Sequence, residues 1–138
     1  MAYTRIYIHL VIGTKRRYPF LYYPVRHKLI AHIREKAKEK NIHIHSINGA
    51  DDHLHMLIRL EPAQDIASIA QQIKGESANW INKELLTEKK FMWATGYYAG
   101  SIDGEDQVRI AGYVNSQDIR HSSPIQYFLR SAEEGKPE

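Results

Sequence analysis

Two segments of strict period-two alternation constrain the fold of this chain most. In residues 4–13, and again in residues 53–60, apolar side chains occupy every second position, which is typical of β-strands with one buried face. Apolar residues at helical spacing lie between the two segments, and a second helical pattern follows them. The sequence therefore predicts a sheet that packs its apolar face against helices.

The order of the predicted elements indicates the fold class. Besides the strands at 4–13 and 53–60, we predict helices at 24–40, 65–85 and 106–118, a strand at 42–47 followed by an Asn48-Gly49 turn, and a strand at 91–102 followed by an Asp103-Gly104 turn. The strands at 42–47 and 53–60 form a hairpin. This order is typical of a ferredoxin-like or RRM-like α+β fold, in which an antiparallel sheet carries the first two helices on one face and a C-terminal helix is added.

Length and composition restrict the class of protein further. The 138 residues fit one domain over 1–130, followed by a polar tail at 131–138 that we expect to be frayed. The absence of cysteine excludes disulfides, thiolate metal sites and cysteine nucleophiles. The mean hydropathy is −0.51 and the N-terminal segment lacks the apolar core of a signal peptide, so we expect a cytoplasmic protein with no membrane partner. The net charge of +3 permits a nucleic-acid partner without requiring one.

The most informative triplet is His53-Leu54-His55. On a strand the two imidazoles point to the same side, opposite the apolar row, and we expect that side to be open. Two imidazoles can hold a divalent metal ion and leave positions for a third ligand and a substrate, but they are also compatible with a solvated strand. His43 and His45 have the same spacing. Only the longer apolar row, and the two aspartates directly before His53, favour His53 and His55 over this other pair.

The predicted helix at 106–118 places Ile110, Tyr113, Val114 and Gln117 on one face. A tyrosine within an apolar stripe is ordinarily part of the core. Gln117 lies one turn beyond Tyr113, so a hydroxyl and an amide oxygen project together. If this face lies across the sheet, a nucleophile and a third ligand arrive beside the histidines.

Several motifs occur in a fixed order between Tyr3 and His121. They are a strand with His-apolar-Val at 9–11 followed by Thr-Lys (7–17), a His-hydrophobe-His strand (52–58), a Lys-Gly helix element (73–75), Trp-x-x-Gly-Tyr (93–98), Tyr-apolar-x-x-Gln (113–117) and His121 itself. As an ordered set they resemble the single-tyrosine HUH transposases of the smallest bacterial and archaeal insertion sequences.

This resemblance implies a function and a site. It implies that His53 and His55, rather than the other pair, bind Mg²⁺ or Mn²⁺ with Gln117 as third ligand, and that Tyr113 is the nucleophile. The expected activity is cleavage and rejoining of single-stranded DNA at insertion-sequence ends through a covalent 5′-phosphotyrosine. The expected substrate carries hairpins at the element ends. The expected assembly is a homodimer in which the protomers can share active sites.

Candidate DNA contacts and two other functions remain open. Basic side chains at Lys15, Arg16, Arg17 and Lys74 are candidate phosphate contacts, although for any single one of them a solvated surface is the simpler explanation. An RRM-like sheet can also bind single-stranded nucleic acid without any chemistry, as a passive module or as a domesticated relative that has lost mobility. A small metal-dependent hydrolase is a third possibility, and it would use water and leave no covalent adduct.

Overall fold

The computed structural model describes residues 2–103 and 123–134. Within them, a four-stranded sheet has the order β2-β3-β1-β4, and every pairing is antiparallel. The strands are β1 (Ile6–Gly13), β2 (His43–Gly49), β3 (His53–Leu60) and β4 (Tyr98–Ile102), and the helices are α1 (Tyr23–Glu39), α2 (Ile66–Lys83) and α3 (Ser123–Glu134). A short 3₁₀ turn, Lys15–Arg17, follows β1. The predicted ferredoxin-like α+β fold is confirmed.

The first face of the sheet holds the main core under α1 and α2. The register pairs Leu10 with Met56 and Ile12 with Leu54, which brings the apolar rows of β1 and β3 onto the same face. All four side chains are fully buried. Each contributes about 1.5–3 kcal/mol through removal of apolar surface from water. The helices complete the cluster with Val25, Leu29, Ile33 and Ala37 of α1 and Ile69, Ala70, Ile73 and Ile81 of α2.

The second face of the sheet is covered in part by α3, a helix that the sequence analysis does not predict. Ile125, Phe128 and Leu129 of α3 pack with Val11 of β1 and Tyr98 of β4 to form a second, smaller core. The helix extends through Glu134, four residues into the segment where the sequence analysis expects a frayed tail. Burial of Ala132 near Gly13 of β1 accounts for this extension, since it attaches the last turn to the sheet.

Two strand boundaries predicted from the sequence are wrong. β2 continues through Asn48 and Gly49, which pair with β3, so the hairpin turn comes at 50–52. A Cβ at Gly49 would collide with the carbonyl oxygen of His53, so the glycine serves close strand pairing rather than a turn.

The last strand is also shorter than predicted, because β4 begins at Tyr98 rather than at residue 91. Trp93 forms only an isolated bridge with Thr14. The Asn82 amide bonds both backbone groups of Phe91. The carbonyl of Met92 accepts from the N–H of Lys15, and the N–H of Ala94 donates to the carbonyl of Gly13 at the end of β1.

The predicted helix at 106–118, with Ile110, Tyr113, Val114 and Gln117, lies outside the described residues, as does His121. Among the helices that the structure does describe, none combines the length and the apolar character that a membrane span requires.

Candidate metal centre

His53 and His55 lie on the second face of the sheet, at the start of β3. Their ring centroids are 5.0 Å apart and the ring planes are inclined by 74°. The register places Gly13 opposite His53 and Val11 opposite His55. The prediction that both histidines point to the same side of the sheet is therefore correct, but the prediction that this side is open is wrong. His53 is 6% exposed and His55 0%, because this face also carries the small core formed with α3.

The first imidazole is oriented by a carboxylate. Nδ1 of His53 lies 2.6 Å from Oδ1 of Asp52, and the other carboxylate oxygen of Asp52 accepts a hydrogen bond of 3.0 Å from Nε of Arg17. Burial by itself would raise the pKa of Asp52, but the hydrogen bond and charge of His53, together with Arg17, outweigh it and lower that pKa below 3.8. An ionised Asp52 accepts the Nδ1 proton of His53 and directs Nε2 as the coordinating nitrogen.

The second imidazole is contacted by another histidine. Nδ1 of His55 lies 2.9 Å from Nε2 of His9 on β1, and both rings are buried. Both candidate ligands thus engage their Nδ1 atoms within the protein. In the sequence His9 is recognisable only as part of a strand motif, because period-two alternation gives the face of a residue but not its neighbour on the adjacent strand.

This donor set fits a divalent cation. A metal–imidazole bond is about 2.0–2.1 Å long for an ion such as zinc, so two rings with centroids 5.0 Å apart are close enough to share one ion. Within residues 2–103 and 123–134, no group of three His, Cys, Asp or Glu side chains could hold a metal ion. A third protein ligand would therefore be of another residue type, lie elsewhere in the chain or belong to a second copy of it. Tyr113 and Gln117 lie outside the described residues.

The alternative pair, His43 and His45, has a different environment. Both side chains are exposed, and an irregularity in the β2–β3 pairing falls between Ile44 and Ser46. Nε2 of His43 lies 3.0 Å from a Glu61 carboxylate oxygen, and Nδ1 of His45 lies 2.8 Å from the Ser46 hydroxyl. A bulge breaks the alternation that would align the two rings, so this pair is the weaker candidate.

The basic turn after β1 lies beside the histidine pair. The backbone N–H of Thr14 donates to the carbonyl of Asp52, which fixes the start of the turn next to His53. Lys15 and Arg16 are exposed, whereas Arg17 is half-buried on Asp52. Arg16 and Arg17 both adopt left-handed φ values, 55° and 54°. Such backbone strain in non-glycine residues is concentrated at functional sites.

Lys74, the fourth candidate DNA contact, is directed toward the protein backbone. Its ammonium group donates hydrogen bonds of 2.8 Å to the carbonyls of Ala94 and of Gly96. Gly96 itself has a positive φ of 80°. Lys74 therefore fastens the segment that leads into β4, which is a structural task.

The fold and the position of the paired histidines agree with the class of protein that the sequence motifs resemble, a small transposase. Residues 2–117 match the model of a family described as IS200-like transposases, and the chain belongs to that family.

Individual relatives agree with this assignment. The transposase for insertion sequence element IS200 of Salmonella typhimurium strain LT2 is 26% identical over 115 residues, which cover 79% of this chain and 74% of the relative. The ISDra2 transposase TnpA of Deinococcus radiodurans is 25% identical over 114 residues, covering 79% and 81%.

Two solved structures share the fold. A protein of Deinococcus radiodurans R1 described as a transposase superposes with a TM-score of 0.68 at 21% identity, covering 84% of this chain and 93% of the other. A REP-associated tyrosine transposase bound to a REP hairpin gives a TM-score of 0.62 at 15% identity, covering 83% and 67%.

Proposed function

We propose that this protein cleaves and rejoins single-stranded DNA at the ends of an insertion sequence through a covalent bond to Tyr113. The observation that carries the proposal is the histidine pair. His53 and His55 share a buried face, and each engages Nδ1 with a protein partner, so Nε2 is the ring nitrogen through which each would bind a divalent ion. Membership of the IS200-like transposase family supports this use of the site.

Tyr113 requires help from its surroundings to act as a nucleophile. A phenol has a pKa near 10, so at neutral pH it attacks phosphorus slowly unless the phosphate is activated. Mg²⁺ or Mn²⁺, held by His53, His55 and Gln117, would supply charge neutralisation at the scissile phosphate. The residues of this chain bind and orient the phosphate so that the Tyr113 oxygen faces phosphorus.

The proposed step exchanges one phosphate ester for another. The Tyr113 oxygen forms a bond to phosphorus, the bond from phosphorus to the 3′-oxygen breaks, and the proton of the phenol is transferred to that leaving oxygen, which becomes a 3′-hydroxyl. The 5′ end of the strand then stays attached as a phosphotyrosine. A 3′-hydroxyl from another DNA end reverses the same step, so strands are joined without a further energy source. If water were the nucleophile, the phosphate would be hydrolysed and no phosphotyrosine ester would remain for the joining step.

The DNA substrate is proposed from the family and from the rim of the site. A relative with the same fold is bound to a hairpin, and we infer that hairpins at the element ends are recognised here too. The exposed Lys15 and Arg16, in the turn beside His53, are placed to contact backbone phosphates. We further propose that the protein acts as a homodimer and meets its DNA in the cytoplasm.

The test uses labelled single-stranded DNA that contains the flanks of the insertion sequence. Wild-type protein with Mn²⁺ should give a covalent protein–DNA adduct and joined strands. Tyr113→Phe should give neither, and His53→Ala should lose cleavage but retain most DNA binding. His43→Ala, on the exposed alternative pair, is the matched control and should cleave normally.

Three outcomes would contradict the proposal. Strand transfer by Tyr113→Phe would exclude this nucleophile. Cleavage without an adduct would identify a hydrolase that uses water. DNA binding with neither cleavage nor histidine-dependent Mn²⁺ uptake would identify a passive binding module or a relative that has lost mobility.

A further inference from the structure

A third buried imidazole, His9 on β1, lies against the histidine pair and has no part in the function proposed above. Its Nε2 atom is 2.9 Å from Nδ1 of His55. At this distance two ring nitrogens share one proton in a hydrogen bond, with one ring donating and the other accepting. His9 is 6% exposed, so protein surrounds the bond on both sides.

The orientation of His9 is fixed by packing on two sides. Its ring meets the His55 ring edge to edge in the hydrogen bond, with centroids 5.1 Å apart and planes inclined by 25°. The Tyr98 ring packs on His9 edge to face, with centroids 6.0 Å apart and planes inclined by 78°. Gly100 pairs with His9 across β1 and β4, and a Cβ at Gly100 would collide with the Tyr98 hydroxyl. The missing side chain therefore makes room for Tyr98 beside His9.

The direction of the hydrogen bond decides what His55 can do. A neutral imidazole that coordinates through Nε2 must carry its proton on Nδ1. In that case Nδ1 of His55 donates to Nε2 of His9. The reverse direction would place the His55 proton on Nε2 and block coordination through that atom.

We propose that His9 is a positioning residue that accepts the Nδ1 proton of His55 and thereby holds Nε2 of His55 ready for a divalent metal ion. The inference rests on the proposed function, in which His55 is a ligand. It gives His55 the kind of support that Asp52 gives His53, through a neutral ring in place of a carboxylate. Each candidate ligand then has its own acceptor on a different strand or loop.

The first test needs no metal and no DNA. Long-range ¹H–¹⁵N correlation spectra of the metal-free full-length protein, labelled at the histidine rings, report which nitrogen of His55 carries the proton. We expect the proton on Nδ1 in the wild type and a loss of this preference in His9→Leu. A proton on Nε2 of His55 in the wild type overturns the inference, whatever the variants do.

The second test measures Co²⁺ binding by calorimetry in variants of His9. His9→Leu should bind about 10–100-fold more weakly, as removal of an outer-shell partner typically does. In His9→Gln the side-chain oxygen can accept the same proton, so most of the affinity should return. His43→Leu alters an exposed histidine and should bind as the wild type does.

The two proposals can fail separately. Wild-type affinity in His9→Leu, or no recovery in His9→Gln, would overturn the role of His9 and leave the chemistry of Tyr113 untouched. Conversely, Tyr113 takes no part in either measurement, so the absence of a DNA adduct would contradict the proposed reaction while the tautomer and Co²⁺ results still supported the role of His9.

Discussion

At the scale of single residues, Asp52 connects a basic side chain to a candidate metal ligand. One carboxylate oxygen faces His53 and the other accepts from Arg17, and both contacts lower the pKa of Asp52 against the opposing effect of burial. The folded state therefore favours the ionised carboxylate. Stability from this group is present above its ordinary pKa of 3.8 and is lost as the pH falls through the lower pKa of the folded protein.

Asp52→Asn should consequently destabilise the protein at pH 6 by on the order of 1–2 kcal/mol, because hydrogen bonds to a charged group are lost. The difference from the wild type should shrink as the pH falls below 3.8, where the carboxylate of the unfolded chain is protonated first and that of the folded protein follows at its lower pKa. Urea unfolding at a series of pH values measures both effects. A difference that does not change with pH would contradict the ionised carboxylate.

Lys15 and Lys74 give a second residue-scale prediction, because the structure separates two lysines that the sequence analysis treats alike. Lys74→Met should destabilise the fold by about 1.5–3 kcal/mol, since its ammonium group bonds the carbonyls of Ala94 and Gly96. Lys15→Met should leave stability unchanged and reduce the salt dependence of DNA binding by about one phosphate contact. Thermal unfolding measures the stability of both variants, and DNA-binding titrations at several salt concentrations measure the phosphate contact. A stability loss in Lys15→Met together with a lower salt dependence in Lys74→Met would contradict both assignments.

The residue scale also shows what sequence can predict about the site. The alternation of β3 correctly gives His53 and His55 one side, because side-chain direction in a strand depends only on local geometry. The neighbour of His55 depends on the β1–β3 register, which pairs Val11 with His55 and brings His9 within reach. Register is set by the whole sheet, so His9 could not be assigned in advance.

At the scale of elements, α3 is the main departure from the prediction. A signal for this helix is present, since Ile125, Phe128, Leu129 and Ala132 follow the spacing of one helical face, and all four are buried. The segment is short and ends in a polar tail. Its apolar face can therefore be buried, and the helix stabilised, only because the sheet offers a surface to pack on. Helix formation here depends on tertiary packing more than on local propensity.

Phe128→Ala should therefore weaken the attachment of α3 by about 3–5 kcal/mol, because a large buried ring is removed from the smaller core. Backbone amides of α3 should exchange with deuterium much faster, while those of the core under α1 and α2 change little. Arg130→Ala, on the exposed side of the same helix, should exchange as the wild type does. Equal exchange in both variants would contradict the packing of α3 on Val11 and Tyr98.

The shortened β4 illustrates a different limit of sequence reasoning. Residues 91–97 are rich in aromatic and apolar side chains, and Phe91 and Trp93 are buried, as in a strand. The backbone of this segment, however, has mixed partners. Side chains of α2 bond Phe91, Ala94 and Gly96. Met92 and Ala94 also bond the backbone at the end of β1. Burial is read easily from composition, whereas the partner of each backbone group is decided by the tertiary structure.

At the scale of the whole molecule, the proposed homodimer predicts complementation between inactive protomers. Mixing Tyr113→Phe with His53→Ala protein should restore strand transfer if the tyrosine of one protomer acts at the histidine pair of its partner. The mixed sample should then approach a quarter to a half of wild-type activity, since only part of the dimers contain an intact site. If each protomer uses its own tyrosine, the mixture stays inactive although both variants bind DNA.

The most direct test of the central claim is to locate the DNA–protein bond. The chain contains 9 tyrosines, so an adduct by itself does not identify the nucleophile. After reaction with single-stranded element ends and Mn²⁺, nuclease digestion and peptide mass spectrometry should find the nucleotide remnant on Tyr113, and His53→Ala should abolish it. A remnant on another tyrosine, or cleaved DNA with no remnant on the protein, would contradict the account.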